Sequence, residues 1–232
     1  MRPAAPFALV CLLVMLGTGN ALAQRQELAV VAGATYTGAT GPRLHKTQSL
    51  PGFMAGLSLR LPRSPQISFQ SEFLISQRRF TGSRAPSTED PLLVGPQSDA
   101  QNLIYALVPL GLRFQQGYST ERPVRPFLSL GVYAAARIYC RREVVEAGGA
   151  VRQTDCNPGS RNGPNLLPAV YQDFDVGFSG GVGVELRGFA VSARFDRSLR
   201  NAAEEGALPT TPMELAKFWT VSFAVEYLIR VR

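Results

Sequence analysis

The side chains able to do chemistry are few, and most are charged rather than nucleophilic. One histidine, His45, stands beside Lys46, and the three cysteines are Cys11, Cys140 and Cys156. That inventory supplies neither a nucleophile–histidine–carboxylate relay nor a zinc ligand set, so no catalytic residue, metal or cofactor is expected. What recurs instead is a set of arginines and carboxylates at alternate positions of otherwise apolar segments: Arg60, Glu72, Arg113, Arg137, Asp175, Glu185, Arg194 and Glu226. Opposite charges gathered on one face can pair in an enclosed space, where an unpaired charge is costly. The expectation is a lumen charge network in which neighbouring arginines hold Glu72, Glu185 and Glu226 ionised; which carboxylate meets which arginine depends on register.

Period-two segments carry these residues, with apolar side chains on one face and small, polar or charged ones on the other. They run Gln26–Thr37, Phe53–Leu61, Gln66–Phe80, Asn102–Gln115, Pro126–Tyr139, Asp173–Arg187, Phe189–Leu199 and Lys217–Val231. In the fourth, Ile104, Ala106, Val108, Leu110, Leu112 and Phe114 alternate with Tyr105, Pro109, Gly111 and Arg113. The polar face is rich in glycine, with Gly56, Gly111, Gly131, Gly177, Gly181 and Gly183, which suits a narrow interior better than the charged outer face of a soluble sandwich. Connections alternate long and short, from Gly38–Gly52 and Pro62–Pro65 through to the single Gly188 and Arg200–Ala216, as in barrels with short periplasmic turns and long external loops. The predicted fold is therefore all-β: an eight-stranded antiparallel up-and-down transmembrane β-barrel with long external loops and both termini at the periplasmic end.

At the N-terminus, Arg2, the apolar run Phe7–Leu16 and Ala21-Leu22-Ala23 describe a secretory signal peptide over residues 1–23, leaving 24–232 as the barrel domain. The apolar run is about half what a membrane-spanning helix needs. Cleavage removes Cys11, and in an oxidising compartment Cys140 and Cys156 are expected to form a disulfide across the third external loop. Closing a loop of about 15 residues is worth roughly 3 kcal/mol in the chain-entropy model. Of 24 basic residues only Lys46 and Lys217 are lysines, and the formal charge is +7. Secretion and the dispersed arginines argue against nucleic acid as the partner; lipopolysaccharide phosphate is the better anion. Arg63, Arg78, Arg79, Arg84, Arg141, Arg142 and Arg161 are read as turn and loop residues able to meet it.

Three pieces of sequence resemble the PorT-like, or outer membrane protein β-barrel domain, family common in Bacteroidota. They are Ile67-Ser68-Phe69-Gln70-Ser71-Glu72-Phe73-Leu74, Leu107-Val108-Pro109-Leu110-Gly111-Leu112-Arg113-Phe114 and Arg125-Pro126-Phe127-Leu128-Ser129-Leu130-Gly131, with Asp175–Glu185 similar too. The resemblance implies the same barrel, built by the barrel-assembly machinery, and carries little about activity. The chain departs from such barrels by ending Ile229-Arg230-Val231-Arg232 rather than on an aromatic residue.

The expected function is that of a monomeric, non-enzymatic outer-membrane protein with a plugged lumen and a structural or surface-interaction role, in contact with outer-membrane lipid and lipopolysaccharide. Three alternatives stand beside it: a lipid-A-modifying barrel enzyme, a narrow pore for small solutes and a soluble, lipocalin-like periplasmic carrier. The enzyme would need its histidine on a lipid-facing strand, whereas His45 falls in a Gly/Pro-flanked loop.

Overall fold

Strict alternation forces each strand to own two chemically different walls, and a sheet with one wall apolar must hide the other. The computed structural model does this by closure. It describes residues 26–40, 46–83, 98–116, 124–145, 151–155, 172–186, 188–201 and 216–230. The expected signal peptide, His45, Arg84, Cys156 and Arg161 lie outside them. The strands are β1 (Glu27–Thr40), β2 (Lys46–Pro62), β3 (Ile67–Ser83), β4 (Ser98–Gln115), β5 (Val124–Val145), β6 (Val151–Asp155), β7 (Phe174–Leu186), β8 (Phe189–Ser198) and β9 (Lys217–Arg230). Among the described residues there is no helix.

Spatial order is β4-β3-β2-β1-β9-β8-β7-β5, and β4 pairs with β5 to close the ring at eight antiparallel strands. The short β6 stands outside the ring and was not anticipated. It pairs with the upper part of β5, which runs six residues beyond its expected end at Tyr139. The third external loop, expected to begin at Cys140, is therefore preceded by a continuation of the wall in which β5 and β6 pair from Arg141–Asp155 to Val145–Val151. Three connections define a turn end: Arg63–Gln66, the β4–β5 link, and a two-residue turn between Leu186 and Phe189 where Gly188 sits at φ 100°, a conformation glycine adopts without a Cβ penalty. The opposite rim is the loop end, and the first and last described strands meet at the turn end, where Glu27 stands opposite Arg230.

The apolar wall faces outward. Val132, Phe178 and Phe223 are 50–56% exposed, whereas Glu72 and Glu226 are 1% exposed inside. This is the reverse of a soluble sandwich or carrier. From Phe114 to Ile104 the outward residues of β4 are all apolar, a belt about 25 Å tall at ordinary strand rise and tilt, which matches a bilayer core. Phenylalanines occupy its middle, while Tyr227 stacks with Phe189 (centroids 5.0 Å apart) towards the turn end, and Tyr36 and Trp219 lie towards the loop end.

Two irregularities redirect side chains. The β4–β5 ladder slips between Ile104 and Tyr105, leaving Ile138 as an extra residue on β5. Above that bulge the alternation inverts, so Cys140, paired with the fully buried Leu103, packs against the interior core. Between Ser71–Leu110 and Leu74–Leu107 the β3–β4 ladder lapses beside Pro109, which has no N–H to donate.

Candidate functional site

Inward positions of the lower, turn-end half hold a cluster of three arginines and three glutamates. Arg125 (β5), Glu185 (β7), Ala190 (β8) and Glu226 (β9) lie on one continuous rung, and the small Ala190 leaves room for the carboxylates on either side. Glu185 Oε2 accepts from Arg60 Nη1 at 3.2 Å and Arg113 Nη2 at 2.9 Å, while its Oε1 accepts from Arg125. Arg60 also donates to Glu226 and has Glu27, its cross-strand neighbour, at 3.8 Å. Arg113 and Glu226 lie 3.8 Å apart. The Arg113 guanidinium stacks 3.4 Å from the centre of the Phe127 ring. That ring occupies the space over Gly183, where a Cβ would fall 2.4 Å from its Cζ.

At mid-height Arg194 and Glu72 meet edge to edge, with Nη2 to Oε1 at 2.7 Å and Nη1 to Oε2 at 2.6 Å. Gln70 donates to the same carboxylate and to Ser58. A small cavity of about 30 Å³ borders this pair, where Gly111 and Gly131 bring no side chain inward.

The upper, loop-end half is built differently. Its interior is filled by large apolar side chains, Leu74, Phe80, Leu103, Leu107 and Phe218, all at most 3% exposed. Among them lies one ion pair, Arg78 to Asp175 at 2.8 Å. Asp175 also accepts from the Tyr133 hydroxyl (3.0 Å) and from Ser198 Oγ (2.5 Å). Arg78 packs against the rings of Tyr105 (4.6 Å), Tyr133 (5.7 Å) and Phe218 (5.8 Å). The Tyr133 ring, like Phe127 below, lies across a β7 glycine: a Cβ on Gly177 would come within 2.5 Å of it.

All eight charges expected in the lumen face inward, and seven of them pair with one another or with additional lumen partners. Arg137 is the exception: it pairs with Asp173, whose side chain is 86% exposed at the mouth, and takes no part in the network below. The β5–β7 ladder ends just below it, at Ala136 opposite Phe174. Arg78, expected among the loop arginines, is a lumen residue, six positions from Glu72 and hence on the same face of β3. Glu27, Arg125 and Asp196 also line the interior and were not singled out; their signal was parity with neighbouring inward residues. The expected small, glycine-rich lumen holds for the lower half only. Cys140 is disulfide-bonded. Among the described residues there is no group of three or more metal-ligating side chains.

An apolar belt outside and ion pairs inside a closed eight-stranded ring define a membrane-spanning β-barrel of the outer-membrane type. The model of the outer membrane protein beta-barrel domain family matches residues 25–204, and the chain belongs to that family. No curated protein sequence matches it. Among solved structures it is similar to OprG from Pseudomonas aeruginosa (12% identity, 90% of this chain and 98% of that one, TM-score 0.45). It is also similar to Ail, the attachment invasion locus protein of Yersinia pestis (12% identity, 88% and 99%, TM-score 0.41), and to the outer membrane enzyme PagL (12%, 86% and 99%, TM-score 0.37).

Proposed function

We propose that the protein is a non-enzymatic, monomeric outer-membrane barrel whose lumen is plugged by its own side chains and whose role is structural or exercised at its external surface. The observation that carries this reading is the burial of the lumen charges: Arg60, Arg113, Glu72 and Glu226 are each at most 1% exposed, and the apolar layer above them is equally closed. A conducting path would wet at least one side of these groups, and eight strands enclose little more than their own side chains. The near-equal count of buried cations and anions supports a filler that needs no mobile counter-ion.

The same reading places the loop end outside the cell, in contact with lipopolysaccharide and outer-membrane lipid, with a cleaved signal peptide over residues 1–23 and insertion by the barrel-assembly machinery. It pairs Cys140 with Cys156. Arg141 stands opposite Asp155 in the β5–β6 ladder, and each cysteine is the sequence neighbour of one member of that pair. The disulfide would then clamp the base of the external hairpin. Kinship with PorT-like barrels in particular rests on the Leu107–Phe114 and Arg125–Gly131 segments.

The deciding experiment is planar-bilayer recording of the purified chain, which is expected to stay silent; discrete conductance steps would replace the plug with a pore. Mass spectrometry of lipid A from a deletion strain is expected to show unchanged acylation, and a changed pattern would restore the enzyme.

A further inference from the structure

The inward arginines and two outward cations near the loop end differ in their partners. Each inward arginine, Arg60, Arg78, Arg113, Arg125, Arg137 and Arg194, has a carboxylate within ion-pair distance. Among the described residues Arg197 on β8 and Lys217 on β9 have no carboxylate within ion-pair distance and no side-chain hydrogen bond. Both point outward by alternation, since Asp196, Ser198, Ala216 and Phe218 on either side of them are buried inside. They lie together: Arg197 stands opposite Trp219 across the β8–β9 ladder, and Lys217 is the next outward residue beyond Trp219 towards the loop end. The indole lies against the wall over Gly38, where a Cβ would meet it at 2.4 Å. Towards the turn end the same outer face continues as Phe195, Ala193 and Val191 on β8 and Val221, Phe223 and Val225 on β9.

Two cations with no partner among the described residues thus flank an aromatic ring at the border where the apolar belt ends. Guanidinium and ammonium at such a border favour a phosphate held at headgroup depth, and the apolar face beneath suits acyl chains. We propose that Arg197, Trp219 and Lys217 form a binding site for a phosphorylated lipid of the lipid A class in the outer leaflet. This rests on the proposed reading that the loop end is external. Of the two leaflets it commits the site to the one whose lipid carries phosphate on a sugar.

Trp219 is the sole tryptophan, so the site carries its own reporter. The full chain, folded in neutral detergent, is titrated with bisphosphorylated lipid A while indole emission is followed. A saturable blue shift is expected, weakened about tenfold in Arg197→Gln and again in Lys217→Gln. Arg197→Lys is expected to retain binding, and Arg63→Gln at the opposite, turn end to behave as the parent. Dephosphorylated lipid A and phosphatidylglycerol are expected to give no comparable shift. An unchanged titration in the double Gln variant, no shift with bisphosphorylated lipid A, or equal binding of the dephosphorylated or glycerol lipid overturns the site. Protease access to the loops in intact cells separates the two failures: loops cleaved from outside with a flat titration remove only the lipid site, whereas loops cleaved only after permeabilisation remove the orientation on which it rests.

Discussion

The two halves of the lumen solve the same problem with opposite materials. In the lower half three arginines share three glutamates, and Glu185 alone contacts Arg60, Arg113 and Arg125. In the upper half one arginine meets one aspartate inside a sheath of Leu74, Phe80, Leu103, Tyr105, Tyr133 and Phe218. A shared network and an isolated pair respond differently to loss. Removing a member of the network strands several charges, whereas the pair can be exchanged as a unit for apolar atoms of similar volume. The lower half is therefore committed to its charges, and the upper half is not.

The largest effect is expected at the hub of the network. Glu185→Gln removes the one carboxylate common to three buried guanidiniums and should cost about 3–5 kcal/mol. Urea unfolding of the barrel refolded into lipid vesicles measures it, and a loss below about 1 kcal/mol would show that Glu27 and Glu226 suffice to balance the cluster.

The upper half breaks in a different pattern. Arg78→Met alone leaves Asp175 buried without its cation and is expected to cost about 3 kcal/mol. Adding Asp175→Asn keeps an acceptor for Tyr133 and Ser198 and removes the stranded charge, so the double variant should return to within about 1 kcal/mol of the parent. If the double variant is as damaged as the single one, the pair is not separable from its surroundings and the contrast between the halves collapses.

A steric change of intermediate size tests how the rings hold their positions. Gly183→Ala drives a methyl into the Phe127 ring that lies against Arg113. Overpacking of this kind costs about 1–3 kcal/mol, and Phe127→Leu in the same chain should recover part of it by vacating the contact. Recovery measured by the same unfolding assay ties the glycine to ring placement; none would mean that β7 itself needs glycine there.

Strand existence, count around the ring, facing and the in-register charges were legible because a period of two leaves each strand only one way to hide its polar wall. Glu72, Glu185, Glu226, Arg60, Arg113 and Arg194 followed directly from that parity. Bulges hid the rest, since one inserted residue at Ile138 turns Cys140 inward with no mark in the local pattern. Arg78 was obscured by Arg79 beside it, a doublet that reads as a rim although parity with Glu72 assigns it inside. The apolar upper lumen was invisible for a further reason: Leu74, Leu103 and Leu107 sit on the inward face of strands whose outward face is also apolar, so alternation of polarity fades there. The β6 strand, Val151-Arg152-Gln153-Thr154-Asp155, carries no alternation long enough to signal itself and forms against the extension of β5.

The smallest expected effect concerns the charge that belongs to neither half. Arg137 faces inward below the bulge with its side chain only 5% exposed, but its partner Asp173 is 86% exposed, so water and salt screen the pair from the carboxylate's side. Arg137→Gln should therefore cost about 1 kcal/mol of unfolding stability, less than the loss of a network hub. Set beside Glu185→Gln, which removes a charge shared by three guanidiniums, it removes a charge held by one carboxylate at the mouth. A cost at Arg137 approaching that at Glu185 would mean that the dry region extends to the mouth, and with it that the loop end is closed well above the layer formed by Phe80 and Phe218.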